Sequence, residues 1–144
     1  MPKMIFVNFP VADVAKSTAF YEAIGFEKNP QFSNEQASSM VWSDSIYVML
    51  LDRAFYNTFT PKPIADARST SAALYALSFD SRADVDTFTE AAIAAGGREA
   101  HDPEDQGFMY SRAFEDLDGH GFGPFYMDME AAATSMTHAE PAAG

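Results

Sequence analysis

The sequence has no cysteine, few basic residues and no long apolar run. Without cysteine, disulfides, thiolate nucleophiles, Cys-ligated zinc and iron–sulfur clusters are excluded. Nine Lys and Arg against 21 Asp and Glu give 9 − 21 = −12, and this acidity argues against nucleic acid and anionic membranes as partners. No apolar run reaches the roughly 18 residues of a membrane span. We therefore expect a cytoplasmic protein that binds neither nucleic acid nor membrane.

What the sequence does contain is typical of a folded globular chain. Of its 144 residues, 47% are hydrophobic and 14% are aromatic, which indicates one compact domain with an aromatic core. We expect this single domain to cover residues 1–128. The Ala-rich segment 129–144 has little apolar surface to pack, so we interpret it as a mobile tail.

The chain reads as two copies of one unit. Residues 5–11 predict a buried strand, Asp13 a helix N-cap, and the apolar spacing over 14–24 a helix that stops at Gly25. The same order returns about 68 residues later. A short apolar run over 74–79 precedes Ser81 (81 − 13 = 68), and the next helix stops at Gly96 and Gly97.

Each strand–helix unit is followed by apolar segments that predict three more strands. They lie near Phe32, at 39–43 and at 45–51 in the first unit, and at 99–102, 108–115 and 122–127 in the second. The fold class is therefore α+β, with two tandem βαβββ modules at about 4–52 and 72–128. The linker between them, about 53–71, predicts a loop with a short helical turn.

This organisation resembles the vicinal oxygen chelate superfamily, which includes glyoxalase I, extradiol dioxygenases, fosfomycin-resistance transferases and bleomycin-resistance proteins. The matching segments are VADVAKS at 11–17, Phe20-Tyr21, Gly25-Phe26 and FEDLDGH at 114–120. Asn8, Pro10 and the run 50–62 look like an uncharacterised glyoxalase-like branch. The resemblance implies cupped mixed sheets around a central cavity, and a homodimer.

The resemblance also implies four positions at which metal-using relatives hold a divalent ion through His, Gln or Glu. The alignment places Phe6, Leu50, Leu74 and Gly123 at these positions, with the register at Leu50 uncertain by one residue. None of these side chains binds a metal ion. We therefore expect no metal and no other cofactor.

The remaining cavity is predicted to be apolar and aromatic. Asn8 shares a strand face with Phe6, and its amide is suited to orienting a carbonyl, amide or hydroxyl group. Trp42, Phe108 and Tyr110 lie on strands that line the pocket in relatives. The predicted ligand-binding cavity thus consists of Phe6, Asn8, Trp42, Leu50, Leu74, Phe108, Tyr110 and Gly123.

The leading interpretation is a metal-independent small-molecule-binding protein of the glyoxalase and bleomycin-resistance type. Its ligand is unknown, and the acidity is compatible with a cationic one. One alternative is a metal-dependent lyase, isomerase or dioxygenase of the same superfamily. Another is metal-free acid–base catalysis by Asn8, His101 or His120. A third is a structural module in which Phe6, Leu50 and Leu74 fill the old metal site.

The three histidines have simpler interpretations. His101 is interpreted as a surface residue, and His120, in the turn sequence DGHG, as a side chain that packs at the hairpin. His138 belongs to the predicted tail. The sequence alone assigns no catalytic residue.

Overall fold

A computed structural model describes residues 3–131 and 133. The first module contains β1 (Ile5–Val11), α1 (Val14–Ala23), β2 (Glu27–Asn29), β3 (Ala37–Val41) and β4 (Ile46–Asp52). A short helix α2 (Arg53–Tyr56) opens the linker. The second module contains β5 (Leu74–Phe79), α3 (Arg82–Ala94), β6 (Arg98–Asp105), β7 (Met109–Glu115) and β8 (Gly121–Met127).

Each module closes its own four-stranded mixed sheet. The strand orders are β1-β4-β3-β2 and β5-β8-β7-β6, so the two modules have the same topology. In each sheet the first strand runs parallel to the last, and the other pairs are antiparallel. The α+β fold of two βαβββ modules is confirmed.

A capping side chain marks the start of each long helix, and a glycine follows its end. The side chain of Asp13 accepts a hydrogen bond from the backbone N–H of Lys16, and Ser81 does the same for Asp84. After α1 and α3 the chain turns through Gly25 (φ 111°) and Gly96 (φ 108°), a region that favours glycine. The 68-residue offset therefore relates the two N-caps, whereas the two glycines are 96 − 25 = 71 positions apart because α3 has 13 residues and α1 has 10.

The two modules share one aromatic core on the helix side of the sheets. Phe9 of β1 packs edge-on against Tyr75 of β5, with ring centroids 5.0 Å apart, and against Phe122 of β8 at 6.0 Å. Phe20 of α1 and Phe88 of α3 both contact Phe114. Because side chains alternate along a strand, the neighbours of Phe9 and Tyr75 in sequence point to the other face of each sheet.

One turn of the second module fastens it to the first. Between β7 and β8, Asp118 accepts hydrogen bonds from the backbone N–H of Ala12 at 2.9 Å and from the Ser17 hydroxyl at 3.2 Å. Asp116 accepts one from the buried Tyr21 hydroxyl at 2.5 Å. We call residues 116–120 the junction turn.

The strand predicted near Phe32 is wrong, because Pro30 has no N–H for a ladder and starts a short 3₁₀ turn, Pro30–Phe32, after β2. His138 and most of the predicted tail lie outside the described residues. Within residues 3–131, no helix has the length and apolar content that crossing a membrane requires.

Candidate ligand site at the module junction

A cavity of about 330 Å³ lies where the two modules meet. Its walls come from β1, from the start of β5, from the junction turn and from linker residues 64–73. The apolar part includes Pro10, Ile64 and Leu74, and the polar part includes Asn8, Tyr75 and His120. This volume is at the lower end of the range for small-molecule pockets, about 300–1,000 Å³. We call it the junction pocket.

The linker reaches this pocket because a glycine lets it approach. Gly119 has a φ of 94°, and a Cβ there would lie 2.9 Å from backbone atoms of Ala67 and Arg68. The Arg68 guanidinium then donates a hydrogen bond to the backbone carbonyl of Leu117. The junction turn therefore holds both the first module and the linker that covers the pocket.

His120 is fixed in one orientation and one tautomer. Its ring stacks on Phe9 with centroids 4.2 Å apart and planes 7° apart, while its backbone N–H donates to Asp116 at 2.9 Å. Its Nε2 lies 3.0 Å from the backbone carbonyl of Pro10. Because a carbonyl only accepts, Nε2 carries the hydrogen. Nδ1 is then an acceptor, and it has no partner among residues 3–131.

Two tyrosines add hydroxyl groups to the junction pocket. Tyr56 is the last residue of α2, and Tyr75 lies on β5. Burial raises the pKa of the Tyr75 hydroxyl, and the nearby Tyr56 and Asp116 raise it further. Tyr75 therefore stays protonated at neutral pH and can donate. In the described part of the chain, neither hydroxyl has a hydrogen-bond partner.

Asn8 lies between this pocket and a second cavity. Its amide nitrogen is 3.4 Å from the Phe6 carbonyl, a long hydrogen bond. The second cavity, about 370 Å³, is also lined by Phe32, Met49, Phe55 and Phe59. Asn8 thus separates a polar compartment from an aromatic one.

Some predicted site residues lie at the junction and others on the same sheet face. Asn8 and Leu74 both line the junction pocket. Phe6 is two residues from Asn8 on β1 and half exposed, and its ring stacks on Tyr47 with centroids 4.5 Å apart. Gly123 lies opposite Ala76 in the β5–β8 ladder.

Other predicted site residues need correction. Leu50 is 0% exposed and belongs to the core, and Met49 takes its place on the face that carries Asn8. Trp42 is also in the core, packed against Phe26 and Phe88 with centroids 4.9 and 5.4 Å away. The strands are apolar on both faces, so alternation alone does not identify the cavity side.

The prediction for Tyr110 needs correction too, and Phe108 is not among the residues that line the junction pocket. The Tyr110 hydroxyl donates to Asp86 of α3 at 2.6 Å, so Tyr110 faces the helix rather than the cavity. The backbone carbonyl of Phe108, just before β7, accepts from the N–H of Asp128 at 2.8 Å. The junction pocket is lined instead by residues of the junction turn, of the linker and of β5.

The side chains do not fit the divalent ion that the fold implies. Phe6, Leu74 and Gly123 offer no donor atom, and Met49, on the cavity face at the second position, offers only a soft thioether. Across residues 3–131, no group of three His, Asp or Glu side chains comes close enough to hold a metal ion. The site is a pocket with polar groups and apolar walls, and its lining also includes Arg68 and Glu115.

Comparisons with known proteins agree with this architecture. The profile of a family described as bleomycin resistance protein-like N-terminal matches residues 3–38. No curated protein matches the sequence significantly. A hypothetical protein from S. aureus has a similar solved structure, with 23% identity, a TM-score of 0.74 and coverage of 88% of this chain and 94% of that one.

Two further solved structures have names that mention a function. One is a glyoxalase/bleomycin resistance protein/dioxygenase family enzyme from Burkholderia phytofirmans PsJN, with 17% identity, TM-score 0.74 and coverage of 88% and 99%. The other is the fosfomycin resistance protein FosX from Listeria monocytogenes, complexed with Mn(II) and sulfate, with 20% identity, TM-score 0.66 and coverage of 93% and 97%. At these identities the likeness concerns the fold.

Proposed function

We propose that this chain, which has the fold of the vicinal oxygen chelate superfamily, binds a small molecule without a metal ion. In this proposal it is a binding protein of the glyoxalase and bleomycin-resistance type. One observation carries the proposal. The positions at which the fold would hold an ion carry Phe6, Met49, Leu74 and Gly123, while a pocket with free polar groups lies beside them.

The pocket has the composition of a small-molecule site. Its walls combine apolar side chains with a few polar ones, among them Asn8, Tyr75 and His120. The imidazole is held on two sides, by Phe9 and by the Pro10 carbonyl, so its free nitrogen keeps one position. A fixed acceptor of this kind lowers the entropy lost on binding.

Fragment binding to metal-stripped protein tests the proposal. We expect a library of small polar fragments, screened by NMR after dialysis against EDTA, to shift the resonances of Tyr75 and His120 selectively. Ala72→Trp fills the pocket from the linker and should abolish these shifts. Ala83→Trp, on the exposed surface of α3, is the matched control and should leave them intact.

Two outcomes would contradict this function. Failure of every fragment to perturb the pocket resonances would remove the binding role. Binding that appears only after Mn(II), Ni(II) or Zn(II) is added would favour the metal-dependent lyase, isomerase or dioxygenase instead. Elemental analysis of the purified protein gives an independent reading of a resident ion.

We also propose that a second copy of the chain covers the exposed sheet faces. Phe6 is 49% exposed, Leu74 is 79% exposed, and Phe32 and Phe59 are 67% and 70% exposed. Phe32 and Phe59 line the cavity that Asn8 of β1 also lines, and exposed apolar side chains that lie together are typical of an interface. Most soluble oligomers are two-fold homodimers that pair identical surfaces.

Light scattering after gel filtration measures the assembly. The dimer predicts a mass of 2 × 15.8 = 31.6 kDa. The double variant Phe6→Glu/Leu74→Glu should run as a monomer because it buries two carboxylates in the interface. Ala83→Glu, on α3, should stay dimeric. A wild-type mass near one chain would refute the homodimer.

A further inference from the structure

We infer that the linker segment 57–73 is a lid on the junction pocket, and that it opens while both sheets and the junction turn stay folded. Arg68 holds the closed position through its hydrogen bond to the Leu117 carbonyl. The inference rests on the proposed function, because a lid serves a pocket that takes up a ligand. It adds the route by which a small molecule reaches the polar groups of that pocket.

The length of this connection is the first observation. Helix α2 ends at Tyr56 and β5 starts at Leu74, so the segment between them has 74 − 56 − 1 = 17 residues, without a helix or a strand. Connections of more than about 12–15 residues without secondary structure of their own are uncommon in compact domains, and they are usually disordered or serve as lids and binding loops. Residues 64, 65 and 67–73 line the junction pocket. The segment is therefore a wall of the pocket.

Few interactions hold this wall in place. None of residues 57–73 is buried. In the part of the chain that the structure describes, one hydrogen bond joins the segment to a residue more than four positions away, and it is the bond from Arg68 to Leu117. The others are local, such as the bond from the Thr70 N–H to the Asp66 carbonyl at 2.9 Å. Segments with few buried contacts open at a low cost in free energy.

The surface against which the segment packs is fixed independently of it. The backbone of residues 67–68 approaches Gly119 so closely that a Cβ there would lie 2.9 Å away. The N–H of Gly119 donates to the Asp116 carbonyl at 3.2 Å, within the junction turn. Asp118 of the same turn accepts hydrogen bonds from the first module. The segment can therefore leave the turn by breaking a single hydrogen bond, the one at Leu117.

Opening of the segment uncovers polar groups that the proposed function uses. Tyr75 and His120 are partly buried and line the pocket beside it. The other side of the pocket, at Asn8 and Leu74, is exposed and lies on the sheet faces that a second copy covers in the proposed dimer. In that dimer the lid is the route of entry. A ligand that contacts both Tyr75 and residues 64–73 binds only the closed form and stabilises it.

A pair of spin labels measures the opening directly. The chain has no cysteine, so Lys62→Cys in the lid and Thr87→Cys on α3, both exposed positions, give two unique labelling sites. Double electron–electron resonance on frozen samples, with labelled chains diluted in unlabelled protein, gives the distances within single chains. We expect a closed distance and a longer, open one.

Two arginine variants test how the closed position is held. Arg68→Gln should raise the ratio of open to closed chains about threefold to tenfold, as expected for the loss of one hydrogen bond. Arg53→Gln is the matched control, because it removes the same charge from an exposed position of α2. It should leave the ratio unchanged.

A second measurement connects this motion to the pocket. A neutral gadolinium chelate in solution should broaden the ring resonances of Tyr75 and His120 more strongly in Arg68→Gln than in the wild type. The ring of Tyr110, whose hydroxyl donates to Asp86 of α3, is the internal control. Its resonances should broaden equally in both proteins.

Three results would overturn the inference. One is a single distance that Arg68→Gln leaves unchanged. Another is a longer distance without greater exposure of Tyr75 and His120, because the segment would then move without covering the pocket. The third is a loss of β7 and β8 amide signals in Arg68→Gln, since the segment would then unfold together with its sheet. None of these measurements uses a ligand. Fragment binding with an immobile segment would therefore refute the lid alone, and an opening lid without fragment binding would refute the proposed function alone.

Discussion

The hydrogen bond between Tyr21 and Asp116 joins the two modules inside the core, and Tyr21→Phe removes it without removing the ring. The Tyr21 hydroxyl donates to Asp116 Oδ2 at 2.5 Å, and both side chains are buried. Hydrogen bonds to charged groups contribute about 1.5–3 kcal/mol and neutral ones about 0.5–1.5 kcal/mol. We therefore expect Tyr21→Phe to lower the free energy of unfolding by about 2 kcal/mol at pH 7.

The loss should depend on pH in a defined direction. Burial raises the pKa of Asp116, whereas His120, the Tyr21 hydroxyl and two backbone N–H groups oppose that rise. A raised native pKa means that the folded protein binds more protons, so stability declines as pH increases through this range. Without the Tyr21 hydroxyl the pKa of Asp116 rises further. The deficit of the variant should therefore grow from about 1 kcal/mol at pH 4 to about 2 kcal/mol or more at pH 7.

Urea unfolding followed by tryptophan fluorescence measures this difference. Trp42 is the single tryptophan, and it contacts Phe26 of the first module and Phe88 of the second, so its emission reports on the shared core. Tyr47→Phe is the matched control, because its exposed hydroxyl donates to the Asp44 carbonyl. Equal losses in the two variants, or a deficit that stays constant from pH 4 to pH 7, would refute the reasoning.

Two glycine substitutions give further predictions. A Cβ on Gly97 would lie 2.8 and 2.9 Å from two backbone carbonyl oxygens, so Gly97→Ala should lower the unfolding free energy by about 1–3 kcal/mol. Gly123→Ala, with its nearest contact at 3.9 Å, should be neutral in the same urea assay. Gly119→Ala pushes the linker away, and trypsin should cleave after Arg68 about fivefold to thirtyfold faster. Gly107→Ala, which also has a positive φ but open space, should leave that rate unchanged; a similar acceleration in both would contradict the role of the linker contact.

Much of the fold could be predicted from the sequence because the signals for a strand and a helix N-cap recur 68 residues later. Asp13 and Ser81 cap equivalent helices, and the predicted strand at 5–11 coincides with β1. These features depend on the backbone and on neighbouring residues. The segment near Phe32 failed because Pro30 ends β2 early, although Phe32 itself is apolar enough for a strand.

The site was harder to predict, since it depends on contacts between distant segments. Alternation correctly groups Asn8 with Phe6, yet β4 is apolar on both faces, so the cavity side was assigned to Leu50 in place of Met49. Tyr56 comes to the pocket only because the linker folds over the junction. The one sequence signal for that approach is Gly119, whose Asp-Gly pair indicates a turn but does not specify what packs against it.

The junction turn has a consequence for the order of folding. Strand pairs such as Ile5 with Ile46 and Leu74 with Gly121 close within each module, whereas the bonds of the turn to Ala12 join residues 106 positions apart. Because longer loops cost more entropy to close, each sheet should form before the turn docks. Tyr21→Phe should then mainly accelerate unfolding and leave the folding rate almost unchanged, which makes the junction pocket the last part of the molecule to be assembled.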